Sequence, residues 1–267
     1  MSTSLEPSTV SNSPPGAGGI GASGILRTLC LTMVWPAAAA VSLSVAVGVR
    51  EVTAVGLLLL ACGTMTAYGL DRLIDRRDRD PKRLRRVLAI CVILTAVGAG
   101  VLACTAWWRF LVCAALGLIA GAYVPLKRII PKNVLATLAW TTAIATLPFG
   151  GGPPPDPAFG ASMLAVAFII MANTILCDLP DVAADRQAGV RGIAPRFGSR
   201  AGAFAAGVFG GLGALIAGSV GRWGLAATAL GLTVLAIPLA RNPIRSVRRL
   251  ADGLVTVLPG SLALLFR

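Results

Sequence analysis

Three aspartates follow directly after a long apolar run. The stretch CDLPDVAADRQAGVRG, residues 177–192, places Asp178, Asp181 and Asp185 at positions i, i+3 and i+7. On a helix this spacing puts the three carboxylates on one face. Pro180 is suited to the first turn of a short new helix, so we expect one to begin there. The chain contains 11 acidic residues and no histidine. A metal site would therefore have to be built from carboxylates, which favours a hard ion such as Mg²⁺.

A second acidic face occurs in DRLIDRRDRD, residues 71–80. Three of its four aspartates, Asp71, Asp75 and Asp78, stand at i, i+4 and i+7, and arginines repeat this spacing one residue later. Carboxylates one helical turn apart repel each other, so the arginines or a divalent cation must compensate. A charged helix end in solvent explains one such cluster by itself. Two are better explained as opposing ligand sets for Mg²⁺ that bridges a diphosphate.

The third polar stretch is AYVPLKRIIPKN, residues 122–133. It carries Lys127 and Arg128, with Tyr123 one turn earlier. Tyrosine and basic residues are common at membrane interfaces, so anchoring is one interpretation. The other interpretation is that Lys127 and Arg128 bind phosphate oxygens directly.

The segments that carry these stretches are strongly apolar. The chain is 56% hydrophobic and 13% charged, with a mean hydropathy of +0.80. Soluble domains average about 25% charged residues, whereas apolar runs of about 18–20 residues suffice to cross a bilayer. The sequence therefore predicts an all-α, polytopic integral membrane protein. The predicted spans, about nine in number, are roughly 26–48, 53–70, 87–106, 110–126, 134–150, 158–177, 201–219, 223–240 and 250–266.

The basic residues predict the orientation of the chain. The formal charge is +13, and of the 24 Lys and Arg residues only Arg50, Arg109, Arg222 and Arg267 fall opposite the basic connections. Cytoplasmic loops are enriched in such cations. We therefore expect the N-terminus and both acidic clusters on the cytoplasmic side of a bacterial plasma membrane. The same placement argues against nucleic-acid binding.

The N-terminal segment differs from the rest. Residues 1–24 are rich in Ser, Pro and Gly without periodicity, which predicts a disordered tail before a transmembrane domain over 25–267. The six cysteines lie in or beside apolar segments without a C-x-x-C pair. We interpret them as small membrane residues rather than disulfides or metal ligands.

Taken together, the three polar stretches resemble the UbiA superfamily of intramembrane prenyltransferases. The family pattern is N-D-x-x-D-x-x-x-D after the second helix and D-x-x-D-x-x-x-D after the sixth. The second motif is matched closely by DLPDVAADRQAGVRGIAPRFG at 178–198, including Arg186, Gly189 and a terminal P-R-x-G. The family's segment between helices four and five is similar to YVPLKR at 123–128, with Asn133 downstream. The resemblance covers nearly everything after residue 25.

The first motif departs from the family pattern. The family's N-D pair falls on Ala67 and Tyr68 in AYGLDRLID, so a polar side chain expected near the metal or the diphosphate is missing. The second motif reads GVRG where many members have G-K-R-T. The four main carboxylates are kept, and the changes bear on the substrate class and the number of metal ions.

The resemblance also implies a fold and a mechanism. It implies a helical bundle around a central cavity that opens laterally to lipid. Asp71 and Asp75 would hold one Mg²⁺, and Asp181 and Asp185 another, with Asp178 assisting. Loss of the diphosphate would give an allylic carbocation in a dry cavity, which an acceptor then captures. The implied diphosphate contacts are Lys127, Arg128, Arg72, Arg79, Tyr123 and Arg186.

Three functions follow as alternatives. The first is transfer from an isoprenyl diphosphate (geranyl, farnesyl, geranylgeranyl or longer) to an aromatic or other acceptor. The second, which the altered first motif makes a serious alternative, is a terpene cyclase that converts the donor to a cyclic terpene without an acceptor. The third is a transporter with acidic gates. It predicts ionisable residues inside the spans, where the sequence offers little beyond Asp252.

Overall fold

The computed structural model of the chain describes residues 34–47, 52–74, 81–148, 156–240 and 245–265. Side chains are described throughout these ranges except at 72, 74, 81–83 and 245–249. The elements are α1 (Trp35–Ala46), α2 (Ala54–Ile74), α3 (Pro81–Thr105), α4 (Trp107–Gly121), α5 (Tyr123–Ile129), α6 (Lys132–Thr146), α7 (Pro157–Asp178), a 3₁₀ turn (Leu179–Asp181), α8 (Val182–Gln187), α9 (Ile193–Phe197), α10 (Ser199–Ser219), α11 (Trp223–Leu239) and α12 (Arg245–Leu265).

The predicted all-α class is confirmed over the described residues. Each predicted span overlaps at least one described helix, and the span 110–126 includes parts of both α4 and α5. Four described segments are long and apolar enough to cross a membrane, namely Ala54–Asp71, Leu84–Thr105, Pro157–Gln187 and Ser199–Ser219. A fifth is added if the bent pair α4 and α5 forms one span. Nine crossings stay a prediction, and the predicted tail at 1–24 lies outside the described residues.

The outer surface of the bundle is apolar. On α3, for example, Ile90, Ile93 and Val97 are each about 60% exposed. Such a surface is poorly suited to water and well suited to lipid tails. In membranes, helices pack against one another mainly through small residues. The chain is an integral membrane protein.

The central helix is α7, which ends at the second acidic cluster. It packs against α6, α10, α11 and α12, and its inward residues, such as Ala165, Ile169 and Ile175, are almost fully buried. A glycine fixes the approach of α10 to the turn that follows α7. A Cβ atom at Gly202 would lie 2.9 Å from Leu179 Cδ2 and 2.8 Å from Ala194 Cβ, so a larger residue would push α10 away from this turn.

The chain bends by 76° between α4 and α5. Pro125 explains this bend, because proline has no amide hydrogen and its ring clashes with the carbonyl group four residues earlier. The carbonyl concerned belongs to Gly121, where α4 ends. The bend directs the basic strip of α5 across the end of α4 instead of continuing its axis.

A cavity of about 270 Å³ lies between α1, α2, α4 and α6. Its wall is mostly apolar and includes Leu60, Leu116 and Ile144. Asp71 and Tyr123 line its polar end, where α2 ends and α5 begins. The cavity therefore has a mostly apolar wall and a charged group at one end.

Candidate active site

The first acidic cluster is represented by Asp71, one turn before the end of α2. Its Oδ1 atom lies 3.5 Å from Lys127 Nζ. This oxygen is buried and accepts no hydrogen bond from any group in the part of the chain that the structure describes. The predicted metal ligand Asp75 and the predicted diphosphate contact Arg79 lie outside the described residues, and so does the side chain of Arg72.

The basic strip lies beside this carboxylate. Tyr123 lines the cavity, and the Lys127 ammonium lies 5.6 Å from the centre of its ring. An ammonium over an aromatic face is attracted by the electron density of the ring, so Tyr123 helps to hold Lys127 next to Asp71. Arg128 is exposed. The structure thus brings Asp71, Lys127 and Tyr123 together and leaves Arg128 outside this group.

The second acidic cluster runs through a short turn. Asp178 is the last residue of α7, Asp181 closes the 3₁₀ turn, and Asp185 lies in α8. Pro180 stands in the first turn after α7, which confirms the prediction that it opens a short new helix. Asp185 is buried, with 6% of its surface exposed, whereas Asp181 is half-buried.

Two of these carboxylates share one ammonium group. Lys132 Nζ lies 2.8 Å from Asp178 Oδ1 and also forms an ion pair and a short hydrogen bond with Asp185 Oδ2. Burial disfavours the charged form of Lys132, but the attraction and hydrogen bonds of Asp178 and Asp185 outweigh it, so the pKa of Lys132 is raised. The ammonium therefore keeps its charge at neutral pH.

The neighbouring residue completes this contact. Asn133 is buried, donates a hydrogen bond of 2.8 Å to Asp178 Oδ2, and accepts one of 3.3 Å from the backbone of Ile193. Both oxygens of Asp178 are thus engaged by consecutive residues at the start of α6. Asp178 lies with Asp185 around Lys132, and Asp181 is not part of this contact.

Backbone hydrogen bonds join the loop after α8 to the loop before α6. Lys132 N donates to Arg191 O at 2.8 Å, and Arg191 N donates to Lys127 O at 3.1 Å. Gly189, at φ +67°, makes this return possible. Val190 N bonds to Asp185 O and Gly189 N to Arg186 O, which is the Schellman pattern that ends a helix at a left-handed glycine.

The side chain of Arg186 points into the same loop. Its Nε donates a hydrogen bond to the carbonyl of Pro195, and the residue is exposed overall. Arg186 therefore ties α8 to α9 in this structure. Its predicted contact with a diphosphate stays a prediction.

The three polar stretches therefore lie side by side. Asp71 contacts Lys127, whose carbonyl is bonded to Arg191, and Arg191 lies in the loop that returns from Asp185. In the described ranges no three Asp, Glu or Cys side chains are grouped closely enough to hold a metal ion. The ammonium of Lys132 lies between the carboxylates of Asp178 and Asp185.

Comparison with known protein families gives one result that decides the identity. The model of the UbiA prenyltransferase family matches residues 29–251. The chain belongs to the UbiA prenyltransferase family. A comparison with curated proteins gives no match.

Solved structures show that the chain has the UbiA fold. An apo UbiA homolog from Aeropyrum pernix K1 is 13% identical with a TM-score of 0.63, and the alignment covers 89% of this chain and 98% of that one. An Archaeoglobus fulgidus UbiA homolog bound to GPP and Mg²⁺ is 17% identical with a TM-score of 0.55, covering 90% and 96%. A structure described as digeranylgeranylglyceryl phosphate synthase is 12% identical with a TM-score of 0.58, covering 90% and 97%.

Sequence reasoning missed the role of one residue in this UbiA family member. Lys132 stands in the segment AYVPLKRIIPKN, yet the motif match directs attention to Lys127 and Arg128. The available signal was the pair Lys132–Asn133 at the start of a helix. A buried ammonium and amide at that point require acceptors, and the nearby acidic cluster can supply them.

In this UbiA protein, the two residues at the positions of the family's N-D pair lie in the cavity wall. Ala67 and Tyr68 both line the cavity. The Tyr68 ring meets the Trp140 ring edge to face, with 6.0 Å between centroids. The wall next to Asp71 is therefore aromatic and apolar.

A small second pocket of about 40 Å³ lies behind these two rings and contains Asp252. The carboxylate of Asp252 accepts weak hydrogen bonds from Asn173 at 3.4 Å and Cys177 Sγ at 3.3 Å. Asp252 is thus a partnered acid within the bundle, and its two partners lie in the last two turns of α7. A single acid of this kind gives little support to the transporter hypothesis, which needs several such groups along a pathway.

Proposed function

We propose that this protein is a Mg²⁺-dependent intramembrane prenyltransferase that cleaves an isoprenyl diphosphate and transfers the prenyl group to an acceptor. The observation that carries this proposal is the meeting of Asp71, Lys127 and Tyr123 at the polar end of an apolar cavity. A ligand that suits both surfaces has a charged head and a long hydrocarbon tail.

The chemistry of the acidic side chains fits Mg²⁺, which prefers carboxylate oxygens. The buried Oδ1 of Asp71, which accepts no hydrogen bond from the described residues, is the kind of atom that such an ion would use. Asp71 and Asp75 would hold one ion, and Asp181 and Asp185 another, with Asp178 assisting. The ions would supply charge neutralisation of the leaving diphosphate. The A. fulgidus homolog bound to GPP and Mg²⁺ supports this choice.

The residues of the chain itself bind and orient the donor. Lys127, held over the Tyr123 ring, faces the position that the diphosphate would take beside Asp71. Arg128, Arg72, Arg79 and Arg186 are the further contacts that we propose for it. The apolar wall excludes water, so an allylic cation survives until the acceptor captures it. A carboxylate or the released diphosphate then takes up the proton that the acceptor loses.

The experiment uses an isosteric change in each acidic cluster. Asp71→Asn and Asp181→Asn remove one negative charge each, and we expect the rate of Mg²⁺-dependent diphosphate release to fall at least about 100-fold. The matched control is Asp156→Asn. Asp156 caps α7 by accepting a hydrogen bond of 2.7 Å from Phe159 N, and asparagine caps equally well. Full turnover in Asp71→Asn or Asp181→Asn would contradict the proposal.

A terpene cyclase is the second candidate function. The edge-to-face pair of Tyr68 and Trp140 favours it, because aromatic faces stabilise a carbocation that folds on itself. Geranyl, farnesyl and geranylgeranyl diphosphates supplied without an acceptor distinguish the two. A cyclic hydrocarbon or terpene alcohol among the products supports the cyclase, and dependence on an added acceptor supports the transferase.

A further inference from the structure

The second acidic cluster is already engaged by the protein. Three of the four carboxylate oxygens of Asp178 and Asp185 contact Lys132 or Asn133. By contrast, the buried Oδ1 of Asp71 accepts no hydrogen bond from the described residues. Asp71, whose Oδ1 lies 3.5 Å from Lys127 Nζ, is therefore less fully engaged by the protein than Asp178 and Asp185 are.

The position of Lys132 is fixed by the fold. Its backbone amide is bonded to Arg191 O at 2.8 Å, and the adjacent Asn133 is anchored at both Asp178 and Ile193. Its side chain is only 14% exposed. A tethered ammonium has a high effective concentration at its binding partner, so a divalent ion from solution must compete with it.

Removing the ammonium without a substitute would be costly. Asp178 and Asp185 would then face each other without compensation in a largely buried place, and uncompensated buried charge is strongly unfavourable. Lys132 also needs a new anionic partner once it leaves them. A diphosphate bound beside Lys127 would supply such a partner close by, because the loop that holds Lys132 is bonded through Arg191 to Lys127.

We propose that Lys132 is a tethered cation that keeps divalent ions out of the Asp178–Asp185 cluster until a diphosphate binds and draws its ammonium away. This inference rests on the proposed function. It makes Lys132 a positioning residue that sets the order of binding. The Asp178–Asp185 cluster then accepts an ion only together with the diphosphate.

The test measures metal binding without any prenyl substrate. Mn²⁺, as a spectroscopic replacement for Mg²⁺, is titrated into the purified full chain with and without inorganic pyrophosphate. In the absence of pyrophosphate we expect Lys132→Met to bind Mn²⁺ at least about tenfold more tightly than the wild type, a typical effect of a neighbour of metal ligands. With pyrophosphate this difference should shrink. Equal affinity without pyrophosphate would overturn the inference.

Two further variants separate this effect from others. Arg200→Gln removes the same charge from an exposed residue at the start of α10 and should leave Mn²⁺ affinity unchanged. Lys132→Arg keeps the charge and should behave as the wild type. A tenfold gain in Arg200→Gln would show that only the net charge matters, and the inference would fail.

A second measurement covers the case in which Lys132→Met does not fold. Asp185→Asn is isosteric and keeps an acceptor for Lys132. We expect it to bind as many Mn²⁺ ions as the wild type without pyrophosphate and one fewer with it. If Asp185→Asn already binds one Mn²⁺ ion fewer than the wild type in the absence of pyrophosphate, the inference is overturned.

The same titrations distinguish this inference from the proposed function. If the wild type binds no Mn²⁺ even with pyrophosphate, the proposed function fails, and the inference fails with it. The wild type could instead bind Mn²⁺ at the second cluster without pyrophosphate and also release diphosphate from a prenyl donor. In that case the proposed function stands and only the role of Lys132 is wrong.

Discussion

Gly189 provides a sharp test of how the second acidic cluster is built. It has φ +67°, and a Cβ atom added there would meet nothing within 4 Å, so the left-handed backbone is the whole cost of Gly189→Ala. That conformation costs an alanine about 1–2 kcal/mol. The lower entropy of the unfolded alanine chain offsets about 0.4–1 kcal/mol of this. We expect a net loss of about 1 kcal/mol in the free energy of unfolding.

The control is Gly221→Ala. Gly221 has φ +70° and equally open surroundings, but it lies in the turn between α10 and α11, away from the cluster. Both variants should lower the thermal unfolding midpoint in detergent by roughly 2–4 °C. Only Gly189→Ala should also slow diphosphate release, since only its turn sends Arg191 back to Lys127 and Lys132. Unchanged release in Gly189→Ala would refute the positioning role of this turn. A much larger stability loss than in Gly221→Ala would refute the backbone explanation.

Two further predictions concern the hydrogen bonds of Asn133 and the contact between α10 and α11. Asn133→Ala leaves two buried hydrogen-bonding groups without their partner, and we expect a loss of about 1–3 kcal/mol per unsatisfied group, measured by thermal unfolding. Gly210→Val should destabilise the protein by about 1–3 kcal/mol, because a Cβ there would lie 2.5 Å from Thr233 Oγ1. The adjacent Gly211→Val has open space and should be nearly neutral. Similar losses at Gly210 and Gly211 would contradict the packing argument.

The architecture was largely predictable because it follows from local properties of the chain. The apolar runs predicted where helices lie, and each predicted span overlaps at least one described helix. The proline in CDLPD placed a new turn between Asp178 and Asp181, as found. The bend between α4 and α5 was not predicted, although Pro125 is visible in the printed sequence. The predicted span 110–126 runs straight through Pro125, since hydropathy alone cannot distinguish a bent helix from a straight one.

The site was predictable only in part, because its decisive contacts are long-range. The spacing of the aspartates suggested three carboxylates acting together, yet Asp178 and Asp185 converge on Lys132, which lies 53 residues from Asp185. That contact depends on the backbone bonds between Lys132 and Arg191. Such pairing between two loops leaves no periodic signal in either of them. A cation that anchors topology and a cation that neutralises a buried cluster look the same in a sequence.

If the proposed function holds, the second acidic cluster and the altered part of the first motif have different tasks. The second cluster is held by Lys132 and Asn133, so changes there would alter how the proposed diphosphate is bound. The first motif departs from the family pattern at Ala67 and Tyr68, and both of these residues line the cavity. Because Tyr68 packs on Trp140 there, the departure changes the wall that faces the hydrocarbon part of a donor. Under the proposed function, we therefore expect substitutions at Tyr68 and Trp140 to change which product forms, and substitutions at the carboxylates to change how fast the prenyl cation forms.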